Sequence, residues 1–133
     1  MKKIFYKYPA NTYHKLPTNL QEEFYERQHK SIKNVNRNYE IILANDRKMF
    51  VNKNILFMAT TSRDFSAIEY RTFKTIYNQI TNGRMNINNK NIIEIVKTSH
   101  EYGFKNIKSL CLYLLPKVIE NTAIVSKIQK KYS

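Results

Sequence analysis

The chain has 133 residues, of which 42% are hydrophobic and 13% aromatic, so we expect a single folded domain rather than disorder along its whole length. Lys and Arg outnumber Asp and Glu by 23 to 10, and the net charge of +13 favours a polyanion as partner. A single cysteine excludes an intrachain disulfide, and because no apolar run is long enough we expect neither a secretion signal nor a membrane span.

Residues 1–17 are basic and aromatic, and two prolines interrupt them, so we predict an irregular arm ahead of a domain that comprises residues 18–133. Single-strand nucleic-acid binders combine cations with aromatic rings, which contact phosphates and stack on bases. The candidate nucleic-acid contacts are Lys2, Lys3, Tyr6, Lys7, Tyr8 and Lys15. A solubilising tail is the alternative, and clustering of the charge on one face would favour function over compositional drift.

Residues 18–35 have the pattern of an amphipathic helix, with Thr18 and Gln21 as a capping box before apolar residues at helical spacing. The apolar stripe is narrow, so the helix needs a partner surface, either its own domain or a second copy of the chain. The candidate dimer-interface residues are Leu20, Phe24, Ile32, Val35, Tyr39 and Ile41.

Alternation over residues 39–51 predicts an antiparallel hairpin that turns at Asn45-Asp46. A short helical pattern begins at Lys53 and weakens from Thr60 onwards. A second helix, with apolar residues at helical spacing, is predicted to end at Asn82-Gly83, and a small strand follows it. The apolar residues of these two elements are Phe73, Ile76, Tyr77 and Ile80 in the helix and Met85 and Ile87 in the strand.

Residues 91–115 predict two linked amphipathic helices that Gly103 separates. We expect Asn106 to cap the second of them, Pro116 to close it and Asn121 to cap a last helix. Helices outnumber strands in this order of elements, so the predicted class is α+β with a helical majority, a small mixed sheet and a C-terminal helical hairpin.

The pattern of the later elements is similar to that of a known interaction domain. The matching positions are Phe73, Ile76, Ile80, Gly83, Met85 and Ile87, followed by Ile92, Ile95, Val96, Ser99, Tyr102, Phe104, Ile107, Leu110, Cys111, Leu114 and Leu115. On these residues, the chain over 39–133 resembles a BTB/POZ domain, and residues 18–35 resemble the helix that precedes the first strand in its dimeric members. Thr81 and Asn82 stand where the family has Tyr-Thr.

The resemblance implies a scaffold that homodimerises through its first helix and strand and serves as an adaptor in the cytoplasm or nucleus. Many members recruit cullin-type ubiquitin ligases or pair with other BTB proteins. The family members recruit cullins through the region that corresponds to residues 65–73, and this region is shorter here than in the family. The Asn- and Lys-rich composition, taken with the resemblance, indicates a eukaryotic cell or a virus that infects one.

The sequence supplies no catalytic constellation. His14, His29 and His100 do not combine with the acidic residues at zinc-site or triad spacing, and Cys111 fits a small buried hydrophobe. We therefore expect no catalytic residue, cofactor or metal. Two functions remain open: a non-enzymatic, homodimerising interaction module, and a basic protein that binds DNA or RNA through its Lys/Tyr-rich arm.

Overall fold

The computed structural model describes the backbone of residues 3–7 and all of residues 36–133. These residues form four strands and five α-helices, so the α+β class is confirmed. The strands are β1 (Lys3–Lys7), β2 (Tyr39–Ile42), β3 (Lys48–Val51) and β4 (Arg84–Asn88). The helices are α1 (Lys53–Ala59), α2 (Tyr70–Asn82), α3 (Ile92–Glu101), α4 (Lys105–Val118) and α5 (Thr122–Tyr132). The helix predicted over 18–35 lies outside the described residues.

The described strands form two separate antiparallel pairs, β1 with β4 and β2 with β3, rather than the single mixed sheet that we predicted. The prediction of an irregular arm is also wrong for residues 3–7, which form a strand. In the register of this pair, Lys3 is the partner of Asn88 and Lys7 is the partner of Arg84. A local pattern could not indicate this strand, because its backbone hydrogen bonds go to a segment far along the chain.

The predicted β2–β3 hairpin and its turn are confirmed. Asn45 and Asp46 both have left-handed backbone conformations, with φ of 60° and 57°, which these short polar residues tolerate better than most. The Leu43 N–H donates to the Arg47 carbonyl at 2.7 Å, and the Ala44 N–H donates to the carbonyl of Ile68 at 2.9 Å. The turn is therefore held to the segment that leads into α2.

The core forms around α2, whose predicted apolar residues are buried. Phe65, Phe73 and Phe104 pack together, with ring centroids 5.5 Å apart for Phe65–Phe73 and 6.4 Å for Phe65–Phe104. At the start of α2, the Glu69 carboxylate accepts a hydrogen bond from the Thr72 N–H. The helix ends where predicted: the Gly83 N–H donates the last of its hydrogen bonds to the Gln79 carbonyl, and the positive φ of 65° at Gly83 turns the chain out of the helix.

The α3–α4 hairpin is also present, with Gly103 at φ 72° between the two helices. A Cβ at Gly103 would lie 2.9 Å from the Thr61 Oγ1, so both the backbone conformation and the space favour glycine. The predicted cap at Asn106 is wrong. Helix α4 begins at Lys105, with the buried Phe104 at the N-cap, and packing of that ring takes the place of a polar cap.

Pro116 does not close α4 as predicted but lies inside it. A proline has no N–H, so it cannot donate to the carbonyl four residues earlier, that of Leu112. The Nε2 of Gln129 in α5 donates to that carbonyl instead, at 3.3 Å. The predicted cap of α5 is confirmed, because the Asn121 Oδ1 accepts from the N–H groups of Ala123 and Ile124.

Candidate interaction surface

The outer face of the β2–β3 hairpin exposes two large apolar side chains. Residues of a strand point alternately to its two faces, and on the inner face Ile41 and Val51 are buried. On the outer face Ile42 is 49% exposed and Phe50 is 54% exposed. Single exposed apolar residues are common, whereas these two lie together on one face of a short hairpin and make it the candidate contact surface.

Two opposite charges share this face with the apolar pair. Glu40 is the register partner of Phe50, and Lys48 is the partner of Ile42, so each charge lies opposite an apolar side chain. The Lys48 Nζ is 4.0 Å from the Glu40 Oε1. We call these four residues the hairpin face. Its charges lie on one diagonal and its apolar side chains on the other.

Only part of the predicted dimer interface lies in the described region. Leu20, Phe24, Ile32 and Val35 lie outside it. Tyr39 is half-buried and packs edge-on against Phe57, with ring centroids 5.7 Å apart. Ile41 is only 6% exposed and belongs to the core, so its side chain is not accessible to a second copy.

Sequence reasoning missed Ile42 and Phe50 as surface residues. The alternation itself carried the signal: once Tyr39 and Ile41 are assigned to the inner face, Ile42 must lie on the other face. Phe50 follows from the antiparallel register in the same way, because it is the partner of the exposed Glu40. The sequence-based choice of Ile41 selected a residue on the buried face of the strand.

A cluster of cations and rings lies beside the hairpin and fixes α1 to β2. The guanidinium carbon of Arg63 lies 4.0 Å from the centre of the Phe57 ring, and the Lys53 Nζ lies 5.3 Å from the centre of the Tyr39 ring. Such contacts contribute about 0.5–1 kcal/mol each at exposed sites. The cations of the chain itself thus cover these rings, which indicates a structural role.

The cysteine and the histidine of the described region both take part in packing. Cys111 is buried, with its Sγ 3.9 Å from the Met85 Sδ, and burial raises the pKa of the thiol to about 12. His100 is exposed, and its ring packs edge-on against Tyr132 with centroids 5.2 Å apart. Among the described residues, no group of three or more His, Cys, Asp or Glu side chains could hold a metal ion. His14 and His29 lie outside them.

The predicted nucleic-acid contacts fall at the start of the chain. Lys3, Tyr6 and Lys7 lie in β1, whereas Lys2, Tyr8 and Lys15 lie outside the described residues. Tyr6 is the register partner of Met85, which is buried, so this strand is part of the folded domain at the level of its backbone. The structure thus places part of the basic arm next to β4.

The sequence matches no known family model, and none of the curated proteins matches it. Within residues 3–7 and 36–133, no helix has both the length and the apolar character needed to cross a bilayer.

Proposed function

We propose that the protein is a non-enzymatic interaction module that self-associates through the hairpin face. The observation that carries this proposal is the exposure of Ile42 and Phe50 on one side of the hairpin. The resemblance of residues 39–133 to BTB/POZ domains supports the same function, since dimeric members of that family pair through their first helix and strand.

The pattern of the hairpin face is self-complementary. In a two-fold contact the same patch of both copies meets. If one residue of the first copy contacts a second residue of its partner, the second residue of the first copy also contacts the first residue of the partner. A two-fold axis along the diagonal from Ile42 to Phe50 sets each apolar side chain against its own copy. The same axis places Glu40 against Lys48 of the second copy, and the reverse. Opposite charges then face each other twice.

Burial of the hairpin face alone would give only a weak dimer. Full burial of an Ile or Phe side chain stabilises by about 1.5–3 kcal/mol, and Ile42 and Phe50 are already about half-buried. The four side chains of two copies therefore contribute roughly 4 kcal/mol, whereas a micromolar dimer requires about 8 kcal/mol. We propose that the predicted helix over 18–35 supplies the remainder through Leu20, Phe24, Ile32 and Val35.

The high net charge opposes self-association at low salt. Each copy carries +13, and this repulsion is screened over about 8 Å at physiological ionic strength. The dimer should therefore become tighter as salt is raised, in contrast to a contact held by charge pairs alone.

A second copy is a better-supported partner than a cullin. The resemblance implies cullin recruitment through residues 65–73, and the apolar side chains there, Phe65, Ile68 and Phe73, are buried in the core of this chain. The preceding segment is also held down, because the Thr60 and Ser62 hydroxyls both donate to the Tyr102 carbonyl. Among the strand side chains that the structure describes, the large apolar ones that are exposed, Ile42 and Phe50, lie on the hairpin instead.

Sedimentation equilibrium of the wild type and of Phe50→Asp tests the proposal. The wild type should reach twice the 15.9 kDa mass of the chain with rising concentration, and Phe50→Asp should shift the equilibrium at least tenfold towards the monomer. Met58→Asp is the matched control, because Met58 is 69% exposed and lies on α1 rather than among the four residues of the hairpin face. A wild type that stays monomeric, or an equal effect of both variants, would refute the proposal.

Phe24→Asp tests the predicted helix separately. If residues 18–35 contribute to the dimer, this variant should also weaken association while circular dichroism shows a folded chain. An unchanged mass with unchanged stability would limit the interface to the hairpin face.

A further inference from the structure

A polar groove runs between α2 and β4, on the side of α2 that faces away from the core. Its volume is about 520 Å³, and nine of the described residues line it, none of them acidic. Three are cations, Arg71, Lys74 and Arg84, and most of the others are asparagines, including Asn78, Asn82 and Asn88. The groove shares no residue with the hairpin face, and the proposed self-association does not use it.

The helix side of the groove follows directly from the sequence of α2. Arg71, Lys74, Asn78 and Asn82 recur at spacings of three and four, which places them on one face of the helix. The apolar residues of α2 occupy the opposite face and are buried. With a rise of 1.5 Å per residue, the polar face from Arg71 to Asn82 is about 16 Å long. That length accommodates at most about five nucleotides, the number at the 3.4 Å spacing of a duplex strand, and fewer of an unstacked and therefore more extended single strand.

The strand side of the groove is held rigidly. The Asn88 Oδ1 accepts from the Lys90 N–H at 2.8 Å, and the Asn91 side chain accepts from the Asn88 N–H at 2.8 Å and donates to the Asn86 carbonyl at 3.1 Å. Strand β1 lies next to this wall, with Lys7 as the register partner of Arg84 and Lys3 as the partner of Asn88. Two lysines of the basic arm thus hold register positions beside the groove.

We propose that this groove binds single-stranded nucleic acid. The guanidinium and ammonium groups of Arg71 and Lys74 suit phosphate oxygens, and the lining residues that the structure describes include no carboxylate to oppose them. The Asn78 and Asn82 side chains carry both donors and an acceptor, as base edges require, whereas the carboxylates of an acidic peptide only accept.

Fluorescence anisotropy with a labelled DNA strand of about 12 nucleotides and mixed sequence tests this proposal. Each phosphate contact to a single strand adds about 0.7 to the slope of log K against log salt, which is about fivefold in affinity at 0.1 M salt. Arg71→Gln/Lys74→Gln should therefore weaken binding about 25-fold and lower the slope by about 1.4. The control Lys127→Gln/Lys130→Gln removes the same charge from α5, outside the groove, and should change affinity less than about twofold.

A second pair of variants tests the amides without removing a cation. Asn78→Asp puts a carboxylate of nearly the same size into the groove and should weaken binding at least fivefold, whereas Asn106→Asp, on the exposed first turn of α4, should not. Equal losses for groove and control variants, or absence of wild-type binding, would overturn the proposal. Displacement by charge-matched poly-glutamate would overturn its nucleic-acid part, and tighter binding of duplex than of either DNA or RNA single strands would overturn its strand preference.

Discussion

The Tyr77 phenol oxygen accepts a hydrogen bond from the backbone N–H of Asn52, at 2.7 Å. Tyr77 is buried in α2, and Asn52 directly precedes the first residue of α1. The Asn52 side chain in turn accepts from the Ile55 N–H at 2.9 Å, as an N-cap does. One hydroxyl in the core therefore holds the first turn of α1, although the two residues are 25 positions apart in the chain.

Tyr77→Phe should lower the free energy of unfolding by about 1–3 kcal/mol, because the N–H of the half-buried Asn52 loses its partner while the ring remains. Urea denaturation followed by circular dichroism measures the change. Tyr39→Phe keeps the ring contact of Tyr39 with Phe57 and should stay within about 0.5 kcal/mol. Equal losses in the two variants would show that the Tyr77–Asn52 hydrogen bond has no special weight.

Gly103→Ala should destabilise the protein by about 2–4 kcal/mol, through the left-handed backbone at φ 72° and the close approach to the Thr61 Oγ1. Adding Thr61→Ala removes the clash but not the backbone strain, so the double variant should recover about 1 kcal/mol. Denaturant titrations of the four proteins give this coupling energy. Strictly additive effects of the two substitutions would show that the Thr61 side chain moves away from the added methyl group without loss of stability.

Charge reversal on the hairpin face should reveal the two-fold arrangement. Glu40→Lys and Lys48→Glu each set like charges against each other twice and should raise the dimer dissociation constant about tenfold, and the double reversal should restore it. The single variants change the net charge of the chain in opposite directions. General repulsion would therefore move the two constants in opposite directions, and that outcome in sedimentation equilibrium would contradict the proposed symmetry.

The Cys111 thiol should make stability depend on pH in the alkaline range. Its pKa is about 12 in the folded chain and 9.0 for an ordinary thiol, so between these values the unfolded chain loses a proton that the folded chain keeps. The contribution of this thiol to the free energy of unfolding is therefore constant below about pH 9. Between about pH 9 and pH 12 it falls by about 1.4 kcal/mol per pH unit.

Comparison with Cys111→Ala isolates this titration, because the Lys and Tyr titrations are common to both proteins. The stability deficit of the variant should shrink by about 1.4 kcal/mol between about pH 8 and about pH 10. A deficit that is the same at both pH values would show that the thiol ionises in the folded chain as readily as in the unfolded one.

Helical spacing made much of this fold predictable, because the signal is local. The stripe from Phe73 to Ile80 and the caps at Gly83 and Asn121 depend on neighbours within one or two turns, and all of them appear as predicted. The cap at Asn106 failed because tertiary packing of Phe104 outweighed the local preference of a polar residue.

Features that depend on distant pairing were not predictable in this way. Strand β1 gains its hydrogen bonds from β4, and the charged face of α2 becomes a groove only once β4 lies beside it. The cations of α2 were visible in the sequence, but their clustering with Arg84 requires the tertiary structure. The composition alone therefore left function and drift equally open for the +13 charge.

The hydrogen bond from Gln129 to the Leu112 carbonyl couples the end of the chain to the middle of α4. Among the described residues, Gln129 provides the bond that Pro116 cannot form, so detachment of α5 leaves an amide oxygen bare in the middle of its neighbour. Backbone amides near the end of α4 and those of α5 should then exchange with solvent in a single cooperative opening. The last eleven-residue helix is, on this view, an inseparable part of the folding unit rather than an appendage.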